Sequence, residues 1–188
     1  AGADVLLEDL NSSHARVAAG LGAGRVATDD EPVDAIVVAS PPAAIAGVVT
    51  RMLERHPEAV ITDVGSVKSS IIRAVTAASN RPERYVPGHP MAGSQLTGPL
   101  TASADLFTDR TWVITPQAGN SPEDVDLVHR LARLCGARVV ELDADLHDEA
   151  VAQVSHVPHL MSILTASHLR GVPGENLILA GQGIRDVT

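Results

Sequence analysis

The chain has 188 residues, 45% of them hydrophobic and only 2% aromatic, which suffices for one sizeable packed domain plus part of a second and excludes a disordered chain. Its formal net charge is −9 and Lys68 is its only lysine, so no basic face exists for nucleic acid. No apolar run approaches the roughly 18 residues of a membrane span, and the single cysteine, Cys135, excludes an internal disulfide framework and fits a reducing, cytoplasmic setting.

Ala3 to Leu7 reads as a short buried strand closed by Glu8-Asp9. Asn11-Ser12-Ser13 offers an N-cap for a helix over Ala15 to Ala19, which Gly20 stops; Gly20 to Gly24 then reads as a loop. A second buried strand spans Ala35 to Ala39 and ends in Ser40-Pro41-Pro42. The helix after it carries Ile45, Val48, Val49, Met52 and Leu53 at helical spacing and stops at Pro57. Ala59 to Thr62 is the next strand, and Asp63-Val64-Gly65-Ser66 leads into a helix over Val67 to Ala78, with Ser66 able to cap it.

His89 follows, on what reads as a turn punctuated by Pro87, Gly88, Pro90 and Gly93. Ala102 to Phe107 reads as a short helical piece and Thr111 to Thr115 as a strand halted by Pro116. Ser121-Pro122 starts a helix that runs to Cys135 and ends at Gly136, and Arg138 to Leu142 is a further strand. From His147 to about Leu169 the pattern is helical throughout. Cys135 lies in an apolar helical pattern and reads as a small buried hydrophobe.

Short apolar strands alternating with amphipathic helices specify βαβ units around a parallel sheet. The fold class is therefore α/β: a parallel-sheet domain over 1–144, then the start of an all-helical domain over 145–188, with the boundary near Asp143–Leu146.

In such a sheet ligands bind beyond the carboxyl ends of the strands. Three of these ends are polar here: Asp9, Ser40-Pro41, and Asp63 with Gly65 and Ser66. An acid at Asp9 suits the hydroxyls of an adenosine ribose and repels a 2′-phosphate, which favours NAD over NADP. The glycine-rich first turn of a dinucleotide site is not in this sequence, so a first strand, glycine turn and helix are expected upstream of Ala1. His147-Asp148 and Ser155-His156-Val157-Pro158-His159 form a second cluster, able to share one helix face if Pro158 only kinks the helix. Neither cysteine partners nor a His-Glu-x-x-His pattern accompanies it, so no metal is expected.

The stretches Asp63-Val64-Gly65-Ser66-Val67-Lys68, Gly88-His89-Pro90-Met91-Ala92-Gly93-Ser94 and Ser155-His156-Val157-Pro158-His159, in this order, resemble the prephenate/arogenate dehydrogenase family of tyrosine biosynthesis. The resemblance implies a Rossmann-like domain followed by a helical dimerisation domain, hence a homodimer. It also implies oxidative decarboxylation of prephenate with NAD as cofactor.

By that resemblance His89 is the catalytic histidine, and neutral imidazole, with its ordinary pKa of about 6.5, suits a proton acceptor at cellular pH. Ser66 matches the serine that orients this histidine, and Ser94 a hydroxyl that contacts substrate. His159 matches a histidine at the pocket mouth, Asp148 an acid in the ionic network around it, and His156 has the weaker, structural claim.

Two departures from the family pattern stand out. Gln95 occupies a position where the family commonly has Glu, which removes one ionic contact near the substrate. The sequence also stops at Gly183-Ile184-Arg185-Asp186-Val187-Thr188, before the arginine that grips a substrate carboxylate; Arg185 fits a flanking place better. These 188 residues alone are accordingly expected to turn over poorly. The alternatives are an arogenate dehydrogenase, a hydroxyacid or imino-acid dehydrogenase, and a non-catalytic nucleotide-binding module. The second would need a lysine beyond Lys68, and none is there.

Overall fold

The computed structural model describes residues 2–28, 31–93 and 96–187, so Ser94 and Gln95 lie outside the described residues. It divides into two compact units, Ala1–Ala144 and Asp145–Thr188.

In the first unit β1 (Leu6–Leu7) pairs in parallel with β2 (Arg25–Val26) across α1 (Ser12–Gly20). Asn11 caps α1, its side chain accepting from the Ser13 amide at 3.0 Å. Strand β2 falls in what the sequence presents as loop. Two residues are too few to display alternation, so only the backbone pairing reveals it.

β3 (Ala35–Val38) and β4 (Val60–Asp63) pair in parallel, joined by α2 (Pro42–Arg55). Beyond β4 comes α3 (Ser69–Ala78), and a parallel bridge from Ile61 to Tyr85 leads into β5 (Gly88–Pro90). β5 is antiparallel to β6 (Thr111–Ile114), which pairs in parallel with β7 (Arg138–Glu141) across α4 (Pro122–Leu134).

The strands form three sheets, β1-β2, β3-β4 and β5-β6-β7, and the core lies on both faces of β4. Ile45, Val49 and Leu53 of α2 and Ile71 and Val75 of α3 pack with Val38 and Ile61. Val128 and Ala132 of α4 pack with Val60, Trp112 and Ile114. Adjacent residues Val60 and Ile61 thus serve opposite layers, as the two-residue period of a strand requires. This alternation makes the unit a helix–sheet–helix sandwich.

Three expectations are corrected. His89 sits in a strand rather than a turn. Its prolines are compatible with pairing because Pro87 lends only its carbonyl, to Thr115 N at 3.0 Å, His89 pairs with Val113, and Met91 N donates to Thr111 O at 2.7 Å. Residues 87, 89 and 91 face β6, so the missing N–H of Pro90 falls on the other side.

Helix α3 begins at Ser69 rather than Val67, and its N-cap, Lys68, makes no side-chain cap bond, so Ser66 is not the cap. The stretch 102–107 is not helical. A 3₁₀ turn at Pro99–Thr101 precedes it, and Ala102 is extended. Its bonds, such as Leu106 N to Ser103 O, then span three residues, which closes turns without propagating a helix.

The second unit opens with α5 (Ala144–Val151), passes through a π-helical turn at Ala152–His156 and continues as α6 (Val157–His168). The expected single helix is interrupted because Pro158 has no N–H and crowds the carbonyl four residues back. The wider turn answers this with a bond from Val157 N to Ala152 O. Short helices α7 (Gly174–Leu177) and α8 (Gln182–Arg185) complete the unit.

Candidate active site

The carboxyl end of β4 carries Asp63, whose carboxylate accepts four hydrogen bonds. Its Oδ2 accepts from the Gly65 amide at 2.9 Å and from Lys68 Nζ at 2.5 Å. Its Oδ1 accepts from the Tyr85 hydroxyl at 2.8 Å and from the Gly88 amide at 3.3 Å. Lys68 Nζ also donates to the Gly88 carbonyl at 2.6 Å. Asp63 and Lys68 both have 0% side-chain exposure.

The sequence reading puts Asp63 among the cofactor ligands. Its carboxylate is instead consumed within the protein, where it organises the loop that bears Gly65 and Ser66. Burial, and then the adjacent Asp63 charge, push the Tyr85 phenol far above its ordinary range.

This arrangement needs glycine at two positions. A Cβ on Gly65 would lie 2.6 Å from Ile45 Cδ1 and 2.9 Å from Asp63 Oδ2. A Cβ on Gly88 would lie 2.9 Å from Trp112 Nε1 and 3.1 Å from Thr62 Oγ1, both of which are buried without a hydrogen-bond partner. β5 can therefore close on β4 and β6 only where no side chain intervenes.

The network draws two of the expected residues together. Half-buried Ser66 lies on the loop between Asp63 and Lys68, and His89, 8% exposed, follows Gly88 directly. The atoms of Asp63 and Lys68 join these two segments. Sequence reasoning gave Lys68 and Tyr85 no role. The available signal was the presence of one lysine in the whole chain, set between an apolar strand and an apolar helix.

The residues expected on the cofactor side are more dispersed. Ser40 and Pro41 stand between β3 and the start of α2, level with Asp63, because Val38 and Asp63 are register partners. Asp9 lies exposed past β1, accepting from Asn11 N at 2.7 Å. It borders a cavity of about 200 Å³ lined by Glu8, Asp9, Ser12, Ala15, Thr28 and Arg55. Carboxylate and hydroxyl groups at such a rim fit the diol of a ribose. Glu8 is bound to Arg55 at 3.1 Å, at the end of α2 remote from Ser40. That helix has 14 residues, about 21 Å at 1.5 Å per residue.

In the second unit His147 is fully buried, and its Nδ1 lies 2.8 Å from Asp148 Oδ1. His156 and His159 are exposed, in the π turn and on α6. The π turn shifts the angular register by roughly a quarter turn, so Asp148 and His159 do not share the face that an unbroken helix would give them. Cys135 packs against the α4 core, and burial pushes its thiol pKa up. Among the described residues no group of three or more His, Cys, Asp or Glu side chains could hold a metal ion.

Residues 1–141 match the family model described as "Prephenate dehydrogenase, nucleotide-binding domain". The chain is 35% identical over 180 residues to the probable prephenate dehydrogenase NovF of Streptomyces niveus, covering 96% of this chain and 50% of that protein. It thus spans about half the length of this curated relative. The prephenate dehydrogenase of Aquifex aeolicus, solved with hydroxyphenyl propionate and NAD+, superposes with a TM-score of 0.87 at 24% identity, over 98% of this chain and 67% of that one. The arogenate dehydrogenase of Synechocystis superposes with a TM-score of 0.80 at 24% identity, over 99% and 69%.

Proposed function

The chain belongs to the prephenate dehydrogenase family, and we propose that the protein carries out NAD-dependent oxidative decarboxylation of prephenate to 4-hydroxyphenylpyruvate. The observation that carries this reading is the fixing of His89, largely buried, beside the Ser66 loop at the carboxyl edge of the sheet.

NAD, when bound, supplies the hydride acceptor. His89 accepts the proton of the substrate's 4-hydroxyl as hydride leaves C4 and the C4 oxygen becomes a carbonyl. The bond from C1 to its carboxylate then breaks, CO2 departs, and its electron pair enters the ring; a proton returns to oxygen as the ring becomes a phenol. The gain in aromaticity drives the sequence, so the protein must supply orientation and one proton acceptor. Ser66 orients His89. Ser94, Gln95, Asp148 and His159 serve the substrate, and Asp9, Ser40, Pro41 and Gly65 serve the cofactor, with Asp9 selecting NAD against NADP.

A homodimer through the helical unit belongs to the same reading. In α6 Leu160, Met161, Ile163 and Leu164 each expose more than half of their surface, more apolar area than water favours.

The deciding experiment replaces His89 by Asn in the full-length protein and follows NAD reduction with prephenate and with arogenate. The expected result is turnover lowered by about 10²- to 10⁴-fold, the range for loss of a general base, with NAD binding retained. Unchanged turnover would sink the reading.

A further inference from the structure

Backbone pairing between β4 and the β5 segment ends early. Its last bond runs from Val86 N to Ile61 O at 2.9 Å. Two residues on, Gly88 faces the same side, because residues 87, 89 and 91 face β6. The β4 backbone still runs alongside, a Cβ on Gly88 lying 3.0 Å from the Asp63 carbonyl, but side chains supply the partners of the Gly88 N–H and C=O. The N–H donates to the Asp63 carboxylate and the C=O accepts from the Lys68 ammonium. An ion pair thus stands where the sheet ladder would continue, one residue before His89.

We propose that Lys68, acting with Asp63, is a positioning residue for His89. The pair sets the height and direction of the strand that carries the imidazole and couples it to the Ser66 loop. The inference rests on the reading of His89 as the proton acceptor.

Energetics favour a geometric role. A fully buried ion pair gains little net stability over apolar groups of similar volume, because desolvation of both ions offsets their attraction. Charge here does something apolar packing cannot: it holds the N–H and the C=O of one glycine residue, each by its own side chain. Near-attack geometry is sensitive to this, since a displacement of about 1 Å costs about 10²-fold in rate.

The test uses the full-length protein with two variants, Lys68→Met and the double variant Asp63→Asn/Lys68→Met. The single variant leaves a buried carboxylate uncompensated; the double variant removes both charges and carries the test alone where the single variant does not fold. The expected result in the double variant is native-like melting, an NAD KM within about twofold, and kcat for prephenate down by about 10²-fold. The kcat/KM pH profile is expected to shift, and amide exchange to quicken at Gly88 but not at Met91, whose partner is Thr111 O.

Recovery of kcat together with stability in the double variant would overturn the proposal, as would full kcat in a folded Lys68→Met protein. If His89→Asn leaves turnover intact, the functional reading fails instead. Gly88 exchange still reports then whether Lys68 holds the strand.

Discussion

Tyr85 donates its phenolic hydrogen to Asp63 Oδ1 across 2.8 Å, and the residue is 2% exposed. Tyr85 is the only tyrosine in the chain, so its ionisation can be followed without overlap. Desolvation and the neighbouring carboxylate both oppose the phenolate. The folded pKa lies above the unfolded value of about 10, so the contribution to stability is complete below that pH and is lost as pH rises above it. Absorbance of tyrosinate is expected only as circular dichroism reports unfolding. An ordinary titration near pH 10 in a protein that keeps its native spectrum would contradict the buried pairing.

Gly88→Ala is expected to destabilise the fold by about 1–3 kcal/mol, the cost of forcing a methyl into a filled space. The added carbon meets Trp112 Nε1 at 2.9 Å and the Asp63 carbonyl at 3.0 Å, and neither belongs to a freely moving side chain end. Trp112 is the lone tryptophan and reports directly through its fluorescence during urea unfolding. A variant with the parental midpoint and emission maximum would show that β5 does not close as tightly as described.

Ser121 opens α4, its hydroxyl accepting from Asp124 N at 3.1 Å ahead of Pro122 at the first helical position. Ser121→Ala is expected to cost about 1 kcal/mol and Ser121→Asp close to nothing, because aspartate caps as well as serine. Paired thermal melts check this. Equal losses in the two variants would mean that the hydroxyl's contribution is not capping.

The Arg25 guanidinium beside Glu31, with Thr28 bonds added, lowers the Glu31 pKa to about 2. A depressed carboxyl pKa contributes stability above the unfolded value of about 4.3, and that contribution fades as pH falls toward 2. Glu31→Gln should therefore melt below the parent at pH 7, with the gap narrowing between about pH 4 and pH 2. High salt should also narrow it, since the pair is near the surface. A gap independent of pH would remove the ion pair as its cause.

The sheet was legible because its strands are apolar and its helices periodic. Val60 and Ile61, Ile45 and Val49, and Val128 and Ala132 announce layers by spacing alone. Strand β2 was not, since a two-residue strand has no period. The strand character of His89 was hidden for another reason. Pro87 and Pro90 argue locally for a turn, and only the β6 pairing shows that their missing donors are never required.

Within the site, the histidine, Ser66 and the glycines at 65 and 88 stand in the sequence as chemistry-bearing residues on a strand-to-helix path. Lys68 and Tyr85 did not declare themselves. A lone lysine reads as surface charge, and a tyrosine between apolar neighbours reads as core, until the fold brings residues 63, 68, 85 and 88 to one point. Residue types and their order determined that this chain carries an α/β sheet with a histidine beyond the strand over Ala59 to Thr62. Tertiary structure alone decided what holds that histidine, because an ion pair spanning five residues and a glycine twenty residues further on have no signature in local spacing.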